Sequence, residues 1–147
     1  STELPLDGYR IPCFIYADFI PAQKIDTLVS QIDVMPTVMG LLNFSYTSKF
    51  IGQDVLTADY QPRAYIATYQ DLGYLTPERL TVISPVKKVR QYDLRLEAEQ
   101  PVGTEYPLYY SQEERKDLEE RGVLECIARY QSTSYWLKNQ QLNASKK

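Results

Sequence analysis

The run Arg63-Ala-Tyr-Ile-Ala-Thr-Tyr-Gln70, followed by Leu72-Gly-Tyr-Leu75, Leu80-Thr-Val-Ile-Ser84 and Val86-Lys-Lys-Val-Arg-Gln-Tyr-Asp93, decides the fold class. In the first segment Tyr65, Ala67 and Tyr69 alternate with Ala64, Ile66 and Thr68, a period of two in aromatic and β-branched residues that reads as a strand. The other three segments follow at short spacing, with turns near Pro77 and Pro85. Connections that short join antiparallel neighbours. The expectation for 63–93 is therefore an antiparallel sheet of three or four strands.

Downstream, residues 101–107 read as a linker between two prolines, and Ser111-Gln-Glu-Glu114 has the pattern of a capping box opening a long helix with an acidic first turn. Val123, Ile127, Tyr130, Ser134 and Leu137 supply its apolar stripe, and Gly122 is either an exposed, tolerated glycine or a break into two helices. The tail 143–147 reads as frayed. A single sheet needs one buried side, so the helix is expected to cover the sheet face that carries the alternating tyrosines.

Upstream the pattern differs. Ile11-Pro-Cys-Phe-Ile-Tyr-Ala17 is a nearly continuous apolar run bounded by Gly8 and by Asp18 with Pro21. It fits a strand buried on both faces, as in a parallel sheet covered by helices. Ser30-Gln-Ile-Asp33 reads as a helix start, with Ser30 as N-cap and Asp33 reaching back to its amide. Ile32, Met35, Met39 and Leu42 then form one helical stripe, and Pro36 in the second turn should kink it. A loop from Asn43 through Ile51-Gly-Gln-Asp-Val-Leu56 marks a change of layer. The fold class that results is an α+β fragment of an α/β enzyme: one core strand and helix in 1–56, then an antiparallel sheet packed by a long C-terminal helix in 57–147.

A chain of 147 residues, 44% of them hydrophobic, closes one core without disulfide or metal staples. The net charge of -3 argues against nucleic acid as a partner. The basic cluster Lys87, Lys88 and Arg90 reads as a solvated strand face. No window approaches the roughly 20 apolar residues that cross a bilayer, and the N-terminus has no apolar signal core. The chain opens on Ser1 without an initiator Met and enters an apolar run ten residues later, as an excised or processed segment would. Cys13 and Cys126 lack ligand spacing and read as buried free thiols.

Catalytic chemistry is thin. There is no histidine, which removes Ser-His, Cys-His and zinc-histidine arrangements together. The carboxylate pairs Asp18 with Asp26, Asp54 with Asp59, and Glu97 with Glu99 have no spacing that a mechanism demands. No phosphate loop, dinucleotide fingerprint or nucleophile elbow is present. Ser30 and Ser111 are explained by capping. The tyrosines, 13 of them, fit packing in a small sheet better than a binding face. No catalytic, cofactor-binding or metal-ligating residue is assigned from the residues themselves.

Three segments in order, Ile11-Pro-Cys-Phe-Ile-Tyr-Ala-Asp18, Ser30-Gln-Ile-Asp-Val-Met-Pro-Thr-Val-Met-Gly-Leu-Leu42 and Phe50-Ile-Gly-Gln-Asp-Val-Leu56, resemble the closing part of the sulfatase and phosphoglycerol transferase families of the alkaline phosphatase superfamily. There a buried strand ending in a proline turn leads to an S-x-x-D-x-x-P-T helix and then to a G-x-D/S-L turn. The later strand Tyr65-Ile-Ala-Thr-Tyr-Gln70 and the Ala128-Arg-Tyr-Gln131 helix look similar to the lipoteichoic-acid-synthase-like branch. The resemblance implies a parent enzyme that transfers or hydrolyses phosphoryl or sulfuryl esters with a Thr, Ser or modified Cys nucleophile. It also implies a divalent cation (Mn, Mg, Ca or Zn) that offsets the charge of the ester oxygens and activates the attacking group. Those groups lie upstream in such families and none maps onto this chain, which by this reading is inactive alone. Ser30, Asp33, Pro36 and Thr37 would cap and angle a helix against the catalytic sheet.

The implied parent is anchored in the bacterial cytoplasmic membrane with this part outside it, and the implied partner is the upstream catalytic domain of the same polypeptide. Cutting the 11–17 strand from its sheet would also leave an edge open to self-association. An alternative reading is a non-catalytic interaction module with a Tyr-rich sheet face.

Overall fold

The period of two resolves into consecutive hairpins. The computed structural model describes residues 4–45, 47, 49, 51–85, 88–97 and 109–139. Among them five strands form one antiparallel sheet in sequence order: β1 Ala64–Ala67, β2 Leu72–Leu75, β3 Arg79–Ile83, β4 Val89–Glu97 and β5 Tyr109–Glu114. The helices are α1, Val34–Leu41, and α2, Glu120–Lys138. The class is α+β, as the sequence leads one to expect, with a long C-terminal helix and one strand more than anticipated.

The added strand is the segment that carries the second capping-box pattern. Ser111 pairs with Arg95 and Gln112 with Leu94, so Ser111-Gln-Glu-Glu114 is an edge strand and α2 begins only at Glu120. A capping box stabilises a helix end only locally. Pairing along β4 runs over six residues and satisfies the backbone groups on their inner side, and it prevails here.

Register sorts the side chains into two faces. Tyr65, Tyr74, Thr81 and Gln91 stand opposite one another across β1 to β4 and form the face under α2. On the other face Leu4, Ile66, Leu80, Val82 and Tyr92 make the buried cluster, with Leu6, Leu75 and Leu94 packed against it. Burying one such aliphatic side chain contributes about 1.5–3 kcal/mol. Leu4 and the 3₁₀ turn Leu6–Tyr9 thus lid the sheet, and the Gln112 amide pins them by donating to the Leu4 carbonyl at 2.8 Å.

The α2 face is more polar. The amide of buried Gln91 acts as a cap from across the sheet: its Oε1 accepts the Glu119 N–H at 2.6 Å, and its Nε2 donates to the Glu119 carbonyl and to Thr81 Oγ1, each at 3.1 Å. Gly122 lies inside α2 and does not break it; a Cβ there would meet Gln91 Nε2 at 3.0 Å. Further along, the Tyr130 hydroxyl lies 3.0 Å from the carbonyl oxygens of Ile66 and Gly73. Tyr65 packs 5.6 Å from the Tyr74 ring and edge-on to Tyr130 at 6.1 Å. The expected contact between the tyrosine face and the C-terminal helix is therefore formed, although Tyr92 sits on the opposite face.

Two expectations for the first unit are corrected. Residues 11–17 form no strand: Ile11 is 72%, Phe14 91% and Tyr16 90% exposed. A strand needs neighbours for its N–H and C=O groups, and no described strand pairs with this segment. Cys13 is consequently exposed rather than buried, whereas Cys126 is buried; both are free. Second, a 3₁₀ turn Gln31–Asp33 precedes α1, so Pro36 falls in the first α-helical turn, where its missing N–H has no helical partner to lose. Most of the stripe faces outward: Ile32, Met35 and Leu42 are exposed and Met39 is half-buried, while Asp33, Pro36 and Thr37 are buried.

The 101–107 linker, Lys87, Glu99 and the 143–147 tail lie outside the described residues.

Candidate functional site

The most concentrated polar chemistry is at Asp33, which closes the 3₁₀ turn before α1 and is 0% exposed. Its capping box with Ser30 is formed, and Oδ2 accepts the Ser30 N–H at 3.1 Å. The Gln53 N–H donates to Oδ1 at 2.8 Å. The Arg63 guanidinium then closes on both oxygens, Nη1 to Oδ2 and Nη2 to Oδ1, each at 2.7 Å. The Tyr60 hydroxyl lies 3.0 Å from Oδ2 and 3.0 Å from the Leu28 carbonyl. Arg63 also sits over the rings of Tyr60 and Tyr65, at 5.5 and 6.0 Å from their centroids.

One turn on, Thr37 Oγ1 donates to the Asp33 carbonyl at 2.7 Å and accepts the Val55 N–H at 3.0 Å. The S-x-x-D-x-x-P-T residues therefore hold the 51–56 loop on α1 and, through Arg63, hold both on the mouth of β1.

Electrostatics fits a joint. Burial pushes the Asp33 carboxyl up, but the Arg63 hydrogen bonds, the Gln53 and Ser30 amides and the Arg63 charge outweigh it, and its pKa lies below the ordinary value. Burial of Arg63 acts against its charge, and Asp33 more than restores it. Tyr60 is pushed up to about 12 by burial and then by the neighbouring carboxylate. A carboxylate whose lone pairs are filled by fixed donors has no free site for a substrate proton or a metal.

A second network tethers the start of α2. Asp93 accepts from Arg79 at 3.1 Å and from Arg115 at 2.8 Å, and Arg79 also pairs with Glu119. Desolvation pushes the Asp93 carboxyl up, but the hydrogen bonds and charges of Arg115 and Arg79 together outweigh it and hold it below the ordinary value.

The other carboxylates are dispersed. Asp18 accepts from the Tyr16 hydroxyl at 3.1 Å, and Asp26 pairs with Lys24 at 2.8 Å. Asp54 and Asp59 line a cavity of about 320 Å³ with Gln53 and Thr57, and Asp54 is engaged by the Leu56 N–H at 2.9 Å. Glu97 accepts from the Ser111 hydroxyl. A second cavity of about 330 Å³, lined by Gln70, Leu72, Ile83, Ser84 and Pro85, holds a Ser84 hydroxyl already bonded to Asp71. Among the described residues no three of His, Cys, Asp and Glu converge on a cation site.

Sequence reasoning found Ser30, Asp33, Pro36 and Thr37 but missed Arg63, Tyr60 and Gln53 as their partners. The available signal was a lone arginine at the mouth of an apolar strand, a residue type seldom buried unless paired.

No protein-family model, curated protein or solved structure matches the chain.

Proposed function

We propose that this chain is the C-terminal structural subdomain of a metal-dependent sulfatase-like enzyme of the phosphoglycerol transferase kind, inactive alone and seated on the catalytic domain of its own polypeptide outside the cytoplasmic membrane. The observation that carries the reading is the inverted burial of α1. The polar motif residues Asp33 and Thr37 are buried in a joint, while Ile32, Met35 and Leu42 face outward, and the extended segment upstream exposes Ile11, Phe14, Tyr16 and Phe19 as well. Uncovered apolar area of this kind marks an interaction surface. The motif residues Ser30, Asp33 and Thr37 are engaged by groups of this chain, which suits a supporting role, with the nucleophile and cation supplied by the partner domain.

The test compares the native reading frame, including whatever precedes residue 1, with the isolated chain. The longer protein should turn over a glycerophosphate or p-nitrophenyl ester with manganese, and Phe14, Tyr16 and Met35 should be protected from hydroxyl-radical labelling in it. The isolated chain should do neither. Metal-dependent turnover by the isolated chain, lost on substitution of one of its own carboxylates, would overturn the reading, as would a parent frame with no Thr, Ser or Cys nucleophile upstream. The interaction-module alternative is disfavoured because α2 already covers Tyr65 and Tyr74. Concentration-dependent sedimentation abolished by Phe14→Ser would assign the same strip to self-association.

A further inference from the structure

Residues 134–138, which end α2, are all exposed. The seam that packs on it runs through Gly122, Cys126 and Tyr130, and the Tyr130 hydroxyl already reaches the carbonyls of β1 and β2. Leu137 continues that seam two turns on, yet it is 62% exposed, because β1 is the edge of the sheet. Tyr135 and Trp136 beside it are also exposed.

Successive residues of an α-helix step by about 100°. Tyr135, Trp136 and Leu137 therefore spread over about 200° of the helix circumference, with Lys138 in the remaining sector, so the apolar surface at the helix end is wider than one stripe. A protein groove covers one side of a helix. A medium that surrounds the tip covers all three, and Trp and Tyr are the residues that favour the boundary between lipid and water.

Charge points the same way. After Glu125 the sequence holds Arg129, Lys138, Lys146 and Lys147 and no acidic residue. The whole chain has 16 basic and 19 acidic residues, so the part up to Glu125 holds 12 and 19 and carries -7. A cationic end on an otherwise anionic body orients toward an anionic surface.

We propose that the C-terminal end of α2 docks on an anionic lipid bilayer, with Tyr135, Trp136 and Leu137 entering the headgroup boundary and Arg129 and Lys138 facing lipid phosphates. The inference holds whether or not the parent is a sulfatase-like enzyme. It concerns the end of the helix and uses none of the residues of the apolar strip assigned to the catalytic domain.

Trp136 is the single tryptophan of the chain, so its fluorescence reports this site alone. The full 147-residue chain is titrated with vesicles of phosphatidylcholine, with or without phosphatidylglycerol. The expected result is a shift of Trp136 emission to shorter wavelength, and quenching by a lipid-borne quencher, on the anionic vesicles. Arg129→Glu with Lys138→Glu should weaken partitioning by about tenfold or more, as should rising salt. Tyr135→Ser with Leu137→Ser should weaken it comparably while leaving the probe in place.

Both double variants alter exposed side chains, and circular dichroism checks that α2 persists. Unchanged emission with no vesicle flotation would overturn the proposal, as would equal binding to both vesicle types or undiminished binding by the charge-reversed variant. A lipid-independent shift that grows with protein concentration, or one produced by an oligonucleotide and not by vesicles, would likewise replace the bilayer with another occupant.

Discussion

Arg63 meets Asp33 fork to fork, two 2.7 Å hydrogen bonds that join the entrance of α1 to the mouth of β1 across 30 residues of chain. Both side chains are almost wholly withdrawn from water. Removing one partner of such a pair strands the other charge, at a cost of about 3–5 kcal/mol. Asp33→Asn should therefore lower the unfolding free energy measured in urea by about 3–5 kcal/mol while keeping the shape of the site. Arg63→Lys should also destabilise, because an ammonium cannot fill both oxygens. A paired apolar replacement of Asp33 and Arg63 should cost less than the sum of the single truncations, and a double-mutant cycle by chemical denaturation measures the difference.

Stability should fall at both ends of the pH range. Asp33 has a native pKa below its ordinary 3.8, so on acidification the unfolded chain takes up the proton first. The stability it contributes is complete above about pH 4 and is lost as pH falls through the native value. Tyr60 and Tyr74 are both pushed from 10.0 up to about 12, by burial and then by Asp33 and Glu125 respectively. Their contribution is complete below about pH 10 and is lost as pH rises toward 12. Thermal melts across pH should show both edges, with the acid edge flattened in Asp33→Asn and the alkaline edge reduced in Tyr60→Phe.

Gly122→Ala sets helix propensity against packing. Alanine is better than glycine within a helix by about 0.8–1 kcal/mol. The new methyl would meet Gln91 Nε2 at 3.0 Å and Thr81 Oγ1 at 3.3 Å. Gln91 is 0% exposed and bonded through both ends of its amide, so it has little room to yield. Overpacking typically costs about 1–3 kcal/mol, and net destabilisation is expected. A variant as stable as the parent chain by calorimetry would show that the Gln91 cap gives way freely.

The two thiols should separate kinetically. Cys13 is exposed, whereas Cys126, on the sheet-facing seam of α2, is buried and its thiol is pushed up to about 11 by that burial. A thiol reagent at neutral pH should modify one equivalent rapidly and the second only at the rate at which α2 lifts from the sheet. Mass mapping should place the fast label on Cys13.

How much of this was legible in the residues depends on the range of the interaction. The alternation in 64–67, the short runs after it and the Ser30–Asp33 capping box are local patterns, and local patterns were enough for the antiparallel hairpins, the entrance of α1 and the α+β class. The same logic misread Ser111–Glu114, where a local capping pattern competes with strand pairing to β4, and it misread 11–17, whose apolar run has no neighbour to pair with among the described residues.

Only the tertiary structure decided that Asp33 is answered by Arg63, that Gln91 caps α2 from across the sheet, and that Leu137 continues a packed seam beyond the sheet edge. Each depends on residues brought together across the chain: an ion pair, a cap and a seam are defined by distance in space, whereas a single sequence records only distance along itself.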